Sequence, residues 1–248
     1  MLPRVCSFAC LLFCSIPFFA AKGTYSRSAV SVSLHCFQKQ TCPVALVRSP
    51  DGIKTVQRTF QRERTFLLDR DIEFYVPDIE LITASGHWNL PVPEDWVDFD
   101  VLWSPDSKFV AMTGNLNGYI ESVRVYQITE SDPVRITVTK MPSADMWRRF
   151  PPCRALHADP TVCEASQHNE EDFNFAAVAW ADAHTLVLMS EVPCSSLWGG
   201  IMCQVMGYEV DLHSGNIVET MTARDFKQKW QHEMAWRFRI PDPPEWQN

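Results

Sequence analysis

Residues 97–112 read VDFDVLWSPDSKFVAM, and this stretch decides the class of fold. Apolar and acidic residues alternate over Val97–Val101, which is the two-residue period of a β-strand. Ser104-Pro105-Asp106 supplies turn chemistry, because proline presets φ and aspartate can accept hydrogen bonds from the backbone that follows it. The run Phe109–Met112 is wholly apolar and has the length of a strand. The stretch therefore predicts two antiparallel strands joined by a tight turn.

The strand pattern continues beyond this hairpin. Residues 119–128 are rich in β-forming types, and residues 134–139 again alternate between apolar and polar side chains. A second series of short strands begins near Phe173 and includes the reversal 211–216, DLHSGN, in which glycine suits a positive φ. The sequence thus predicts two four-stranded meanders, over residues 97–140 and 173–222.

The two predicted meanders align without a gap at an offset of 77 residues. The identical pairs are Val101/Val178, Trp103/Trp180, Val110/Val187 and Met112/Met189. A weaker third copy starts at Val44, where residues 49–52, SPDG, repeat the turn without a preceding tryptophan. This repetition predicts that Trp103 and Trp180 occupy equivalent, buried positions.

Residues 103–112, WSPDSKFVAM, resemble the W-S-P-D-G-K-x-[IVL]-A core of TolB-like and WD40-like β-propeller repeats. Residues 208–215, YEVDLHSG, are similar to a later turn of the same repeats. Ser107 stands where the family has glycine, and the second unit lacks the Pro-Asp turn. The resemblance implies a mainly β fold of antiparallel four-stranded meander units, propeller-like, as a closed small ring or an open stack.

The amino terminus has the features of a secretory signal. Arg4 precedes residues 5–21, which carry no charge, and Ala21 and Gly23 are small residues suited to cleavage. The alternative is an uncleaved anchor, but the apolar run is short for a span and contains Pro17. We therefore expect residues 1–23 to be a cleaved signal peptide and residues 24–248 to be a single β-rich domain, secreted or periplasmic.

Cleavage would leave six cysteines, which fall into three pairs that are adjacent in sequence. In an oxidising compartment this spacing favours the local disulfides Cys36–Cys42, Cys153–Cys163 and Cys194–Cys203, although spacing alone leaves other connectivities open. The chain has no C-x2-C motif and no paired histidines of the kind that hold zinc. We therefore expect disulfide bonds, no metal and no cofactor.

Charge and length narrow the choice of partners. The mature chain would keep 20 basic residues against 30 acidic ones, so it has no electrostatic attraction to nucleic acid or anionic lipid. We expect no membrane span after cleavage of the signal. Residues 141–172 form a long polar, proline-rich insertion, and a loop of that length is usually functional or disordered.

The carboxyl-terminal part of the domain predicts a short helix. Thr222 and Asp225 have the spacing of a capping box, and Phe226, Trp230 and Met234 then recur at helical spacing. The alternation of apolar residues with arginine over 236–240 predicts a strand after that helix.

The candidate ligand-binding residues are aromatic residues in predicted loops. His87, Trp88 and Trp198 lie among glycine or proline, as does Trp96, and exposed rings of this kind stack on sugars or peptides. Burial as loop anchors is the alternative for them. The acidic run 168–172 offers Ca²⁺ ligands or a solvated loop, and the pairs His157/Asp159 and His184/Asp182 have the composition of catalytic dyads.

Two classes of function follow from this sequence. The first is an exported, non-catalytic binding or scaffold protein of propeller-like type, with a protein or glycan partner. The alternative is a secreted hydrolase with a site of carboxylates and histidines between the repeat sheets. The two differ in whether acidic and histidine side chains from different units converge. The oligomeric state stays open.

Overall fold

The structure of the protein is a computed structural model, which describes residues 45–67, 70–93, 96–116, 120–161 and 172–233. The predicted signal peptide, Cys36, Cys42 and Cys163 lie outside the described residues, as does the strand predicted over 236–240. The described residues form three four-stranded antiparallel sheets in which strands adjacent in sequence are hydrogen-bonded neighbours.

Each sheet is a simple meander. The first contains β1 (Ala45–Arg48), β2 (Thr55–Leu67), β3 (Arg70–Thr83) and β4 (Gly86–Asn89). The second contains β5 (Trp96–Trp103), β6 (Phe109–Leu116), β7 (Ile120–Gln127) and β8 (Val134–Ile136). The third contains β9 (Asn174–Trp180), β10 (Thr185–Glu191), β11 (Val205–Asp211) and β12 (Ile217–Thr222). The mainly β prediction with four-stranded units is confirmed.

The second sheet lies between the other two. One of its faces, which includes Val101, Trp103 and Val110, packs in one cluster with Val56 and Leu81 of the first sheet. Its opposite face packs against the third sheet in a separate cluster. Strands covered on both faces need apolar residues at successive positions, which is why Phe109–Met112 is a continuous apolar run. The arrangement fits an open stack of propeller-like sheets.

The two repeat tryptophans make the same contact in successive sheets. Trp103 Nε1 donates to the carbonyl oxygen of Val47 at 3.2 Å, and Trp180 Nε1 donates to that of Leu102 at 3.4 Å. Val47 and Leu102 occupy corresponding places, because each stands two residues before the serine that opens the turn. The tryptophans are 4% and 7% exposed. Their predicted equivalence and burial are confirmed.

The weaker third copy has the same turn as the second sheet. In each turn a serine hydroxyl donates to the aspartate two residues later, from Ser49 to Asp51 at 2.5 Å and from Ser104 to Asp106 at 2.7 Å. The next residue has positive φ in both turns, Gly52 at 73° and Ser107 at 60°. Ser107 is buried, and its hydroxyl accepts the Asp51 N–H at 3.1 Å, so the two turns are joined. Glycine at 107 would lack that contact.

The gapless offset of 77 holds at Trp180 but is wrong before and after it. Before Trp180, a β-bulge in the pairing of β9 with β10 leaves Val178 on the face away from the preceding sheet, so the counterpart of Val101 is Ala177. In the second sheet the Ser104 N–H bonds the carbonyl of Phe109, whereas in the third the Ala181 N–H bonds that of Thr185, so the turn is one residue shorter. A one-residue shift in register moves a side chain to the opposite face of a sheet. The counterparts of Val110 and Met112 are therefore Leu186 and Leu188, which face the preceding sheet, rather than Val187 and Met189, which face away from it.

The insertion predicted as a loop over 141–172 begins with a helix, α1 (Lys140–Arg149), followed by a 3-10 turn at Pro152–Arg154. Pro142 lies in the first turn of α1, where proline is tolerated because that N–H has no partner within the helix. Met146 is fully buried in the cluster between the second and third sheets. That burial outweighs the polar, proline-rich composition from which a loop was predicted.

The predicted carboxyl-terminal helix is α2 (Ala223–Trp230). The Thr222 hydroxyl donates to the Asp225 carboxylate at 2.8 Å and accepts the Asp225 N–H at 3.3 Å, which caps the first turn. Phe226 is buried in the cluster on the far face of the third sheet. Helix α2 therefore covers the face on which a further sheet would stack. Neither α1 nor α2, nor any other helix of the described ranges, is long and apolar enough to cross a membrane.

Candidate functional site

His87 and Trp88, both predicted as ligand-binding residues of a loop, lie on opposite faces of the strand β4. The His87 side chain is exposed, with Nδ1 3.9 Å from Glu80 Oε2. Trp88 is half-buried against the cluster between the first two sheets, and its Nε1 donates to Asp132 Oδ1 at 2.8 Å. Neighbouring residues of a strand point to opposite sides, so the structure does not bring these two rings to one surface.

Trp198 lies in the interior rather than on an exposed loop. It is 6% exposed and belongs to the cluster between the second and third sheets. Its ring lies 5.7 Å from the Trp147 ring and 5.5 Å from the Phe173 ring, centroid to centroid. It is thus an anchor that fixes its loop to the core, and a ligand can reach its ring only if this cluster opens.

The predicted dyads use their carboxylates in local turns. Asp159 Oδ1 accepts from the Thr161 hydroxyl at 2.5 Å and from the Thr161 N–H at 2.8 Å, and these bonds lower the pKa of Asp159. Burial alone would raise the pKa of Asp182, but hydrogen bonds from the His184 and Thr185 N–H groups and the Thr185 hydroxyl outweigh burial and lower it. Both carboxylates therefore stabilise turns.

The turns at one end of the third sheet gather two imidazoles and two carboxylates. His184 Nδ1 lies 3.6 Å from Asp182 Oδ1, its Nε2 lies 3.8 Å from Asp211 Oδ2, and its ring centroid is 5.1 Å from that of His213. All four residues come from one sheet rather than from different units. Among the described residues no group of three or more acidic, histidine or cysteine side chains is arranged to hold a metal ion. Residues 168–171 of the acidic run lie outside the described ranges.

Residues 154–159 and residues 195–202, which include Trp198, form two loops that are joined to each other. We call the surface that they form the loop platform. The Asp159 N–H bonds the carbonyl of Leu197 at 2.8 Å, and the Gly200 N–H bonds that of Leu156 at 2.9 Å. Gly199 has φ 56° and lies against the backbone of residues 156–158, where a Cβ would overlap it. The close approach therefore requires glycine.

The loop platform is also fixed at its base. Cys194 and Cys203 form the predicted disulfide, with Cα atoms 4.5 Å apart, and Trp198 anchors the segment between them. Cys153, just before the other loop, is disulfide-bonded as well. Cross-links and hydrogen bonds of this kind limit the conformations that the two loops can adopt.

Three aliphatic side chains of the loop platform face solvent. Leu156 is 72% exposed, Leu197 is 47% exposed and Met202 is 46% exposed. Sequence analysis did not single them out, because isolated apolar residues in a loop are common and usually mark partial burial. Two features of the sequence could have indicated them. One is Gly199-Gly200 between two paired cysteines, and the other is the insertion 141–172, which contains Leu156.

A network of charged and hydrogen-bonding side chains, which the sequence did not reveal, holds α1 on the third sheet. Arg149 Nε donates to Asp145 Oδ2 at 2.6 Å, Arg148 bonds Oδ1, and the buried Tyr208 hydroxyl donates to Oδ2 at 3.1 Å. Burial would raise the pKa of Asp145, but these donors lower it. Burial, and then the nearby carboxylate, raise the pKa of Tyr208. The two ion pairs lie within α1, and the Tyr208 hydrogen bond joins that helix to the third sheet.

No protein-family model matches this chain, and no curated protein matches it.

Proposed function

We propose that the protein is an exported, non-catalytic binding or scaffold protein of propeller-like type, and that it binds its partner through the loop platform. The observation that carries this proposal is the exposure of Leu156, Leu197 and Met202 on two loops whose backbones are hydrogen-bonded to each other. Exposed apolar side chains that lie together on a surface, rather than singly, often mark interaction sites.

The rigidity of the loop platform supports a binding role for its exposed apolar side chains rather than an exposure without function. A surface that is already ordered loses little conformational entropy when a partner docks, so more of the contact energy appears as affinity. Here the Cys194–Cys203 disulfide, the Trp198 anchor and the two interloop hydrogen bonds supply that order.

The chemistry of the loop platform favours a protein partner over a glycan. Sugar-binding surfaces present aromatic rings and polar groups, whereas the exposed side chains here are aliphatic, and the nearby tryptophan is buried. An apolar pocket or an amphipathic helix of another protein provides the matching surface.

We expect the double substitution Leu156→Glu/Leu197→Glu to abolish partner binding while leaving the fold intact. Charges placed on an apolar contact must be desolvated on binding, which is costly, but on the free protein they stay solvated. Exposed substitutions of this kind change stability by about 0.5 kcal/mol or less. The measurement is quantitative cross-linking of the protein in its extracytoplasmic fraction, with thermal unfolding as the check on folding.

Ile53→Glu/Val218→Glu is the matched control, since those residues are 63% and 62% exposed and lie on other parts of the surface. The proposal holds if the same cross-linked proteins are recovered with wild type and control but not with the platform variant. Equal recovery with both variants, or none with wild type, would contradict it.

The proposed export predicts where the mature protein begins. The mature protein should begin between residues 21 and 24, and removal of residues 1–23 should leave it lighter by the mass of that segment. Intact mass and amino-terminal sequencing of the protein from the extracytoplasmic fraction will check this. A mature chain that retains Cys6 would show that the segment is an anchor or an ordinary amino terminus.

A further inference from the structure

The Cys194–Cys203 disulfide lies where β10 and β11 separate to form the loop between them. Backbone hydrogen bonds already close this point, because the Val192 N–H bonds the Gln204 carbonyl at 2.8 Å and the Cys203 N–H bonds that of Val192 at 3.0 Å. Trp198, in the middle of the same loop, is buried. The loop is therefore held at its base and in its middle by contacts that do not involve sulfur, and breaking the disulfide should leave β10 and β11 paired.

Two features distinguish this disulfide from a buried structural one. Cys194 is exposed and Cys203 is half-buried, so the bond lies at the surface of the protein. Cys203 also has φ 61°, in the left-handed region that residues other than glycine rarely adopt. Backbone conformations of this kind concentrate at functional sites. Disulfides that are exposed or strained are the more easily reduced ones, and these serve regulation or catalysis.

A carboxyl group lies directly beside this bond. Glu191 Oε1 is 3.3 Å from Cys194 Sγ, and Oε2 accepts a hydrogen bond from Asn174 Nδ2 at 3.2 Å. Glu191 is half-buried at the end of β10. Its partner on β11, Val205, belongs to the cluster on the face of the third sheet that α2 covers. Glu191 is thus placed to exchange a proton with the Cys194 sulfur.

The surroundings of Glu191 favour its neutral form. Burial raises the pKa of Glu191 more than the Asn174 hydrogen bond lowers it. Its partners on β9 and β11 are uncharged, and Lys229 of α2, which lies over the same face of the sheet, binds Glu209 and Glu219 instead. Since a disulfide sulfur carries no proton, the neutral carboxyl is the form that can donate to it.

We propose that Cys194–Cys203 is a redox-active disulfide that exchanges with a dithiol of a partner molecule, and that Glu191 is the acid and base for Cys194. A thiolate of the dithiol bonds Cys203 Sγ, the disulfide breaks, and its electron pair goes to Cys194 Sγ, which takes the proton of the Glu191 carboxyl. Glu191 regains a proton from solvent.

A second displacement completes the exchange. The other thiol of the dithiol, as its thiolate, attacks the partner sulfur of the mixed disulfide, and Cys203 leaves as a thiolate that is protonated by solvent. The protein gains two electrons and two protons, and the dithiol is oxidised to a disulfide. In the reverse direction the Glu191 carboxylate accepts the proton of the Cys194 thiol. This chemistry does not depend on whether the loop platform binds a protein.

The test uses the full mature protein and dithiothreitol as the dithiol. Alkylation at timed intervals, followed by mass spectrometry of the Cys194 and Cys203 peptides, gives the rate at which this disulfide is reduced in the folded protein. Glu191→Gln keeps the size of the side chain but cannot donate the proton, so it should slow reduction about tenfold. This is less than the usual contribution of a general acid, because a thiolate leaves readily without a proton. Glu130→Gln, exposed in the loop between β7 and β8, is the matched control and should change the rate by less than about twofold.

The pH profile separates proton transfer from a structural role of Glu191. Per dithiothreitol thiolate, reduction of the wild type should be fastest where the carboxyl is neutral and should slow as pH rises through the raised pKa of Glu191. Glu191→Gln should lose this dependence. A substitution that only loosened the loop would change the rate by the same factor at every pH.

Three outcomes would overturn the proposal. They are a wild-type rate per thiolate that does not change with pH, equal rates for wild type and Glu191→Gln, and loss of the thermal unfolding transition on reduction. The last would show that the bond opens only when the fold is lost. Thermal unfolding of the oxidised variants checks that each is folded, and the wild-type pH profile decides the matter even if Glu191→Gln is not.

Discussion

Replacing Trp103 or Trp180 with alanine should lower the free energy of unfolding by about 3–5 kcal/mol, the usual cost of removing a buried tryptophan. Each indole fills a space between two sheets and donates to a backbone carbonyl of the preceding sheet. Alanine leaves a cavity and deprives a buried carbonyl of its donor. On a chain of this size the melting temperature should fall on the order of 10 °C. Thermal and urea unfolding measure the loss.

Phenylalanine at the same positions separates the two contributions. Trp103→Phe and Trp180→Phe keep most of the packing and remove the hydrogen bond, so each should cost about 1–2 kcal/mol. Trp88→Ala is the control, because that ring is half-buried at the edge of the stack. A loss at Trp88 as large as at Trp103 would show that the repeated indole bond has no special role in joining the sheets.

Gly207→Ala should also lower the free energy of unfolding, although it adds only a methyl group. Gly207 lies within β11, and a Cβ placed on it would overlap the Phe226 ring of α2. Phe226 is fully buried, so its ring has little room to move and α2 must shift from the sheet. Overpacking of this kind costs about 1–3 kcal/mol or more. Urea unfolding and hydrogen exchange in α2 report the two effects.

A double-mutant cycle assigns the cause. Phe226→Ala alone should cost about 3–5 kcal/mol because it empties the far face of the third sheet. In Gly207→Ala/Phe226→Ala the added methyl group occupies part of the emptied space, so the double variant should be more stable than the sum of the single losses. Strict additivity would mean that Gly207 and Phe226 do not contact each other.

The sequence predicted the repeated unit because the unit is held by local chemistry. A strand that ends at Trp103, a serine and aspartate that bond each other across the turn, and an apolar run at Phe109–Met112 are all recognisable in one stretch. The capping of α2 by Thr222 and Asp225 is local in the same way. The resemblance to TolB-like and WD40-like repeats does not follow from these local contacts and stays a prediction.

The register after Trp180 was beyond sequence alignment. A gapless comparison matches Val187 with Val110. Residues 109–112 and 186–189 are apolar at every position, so their sequences do not indicate which side chains face the preceding sheet. Only the shorter turn, with the Ala181 N–H bonded to Thr185, reveals the one-residue shift. In a strand buried on both faces, composition loses the alternation that normally reports register.

By itself, the sequence determined the mainly β class, the four-stranded units and the capped helix α2, and it favoured the Cys194–Cys203 disulfide, because each depends on residues close together in the chain. The tertiary structure alone decided that Trp198 is buried, that His87 and Trp88 part to opposite faces, and that Leu156 and Leu197 share one surface. These results depend on contacts between segments far apart in sequence. Whether a surface is covered depends on how distant segments pack against each other, so it cannot be predicted from any one segment.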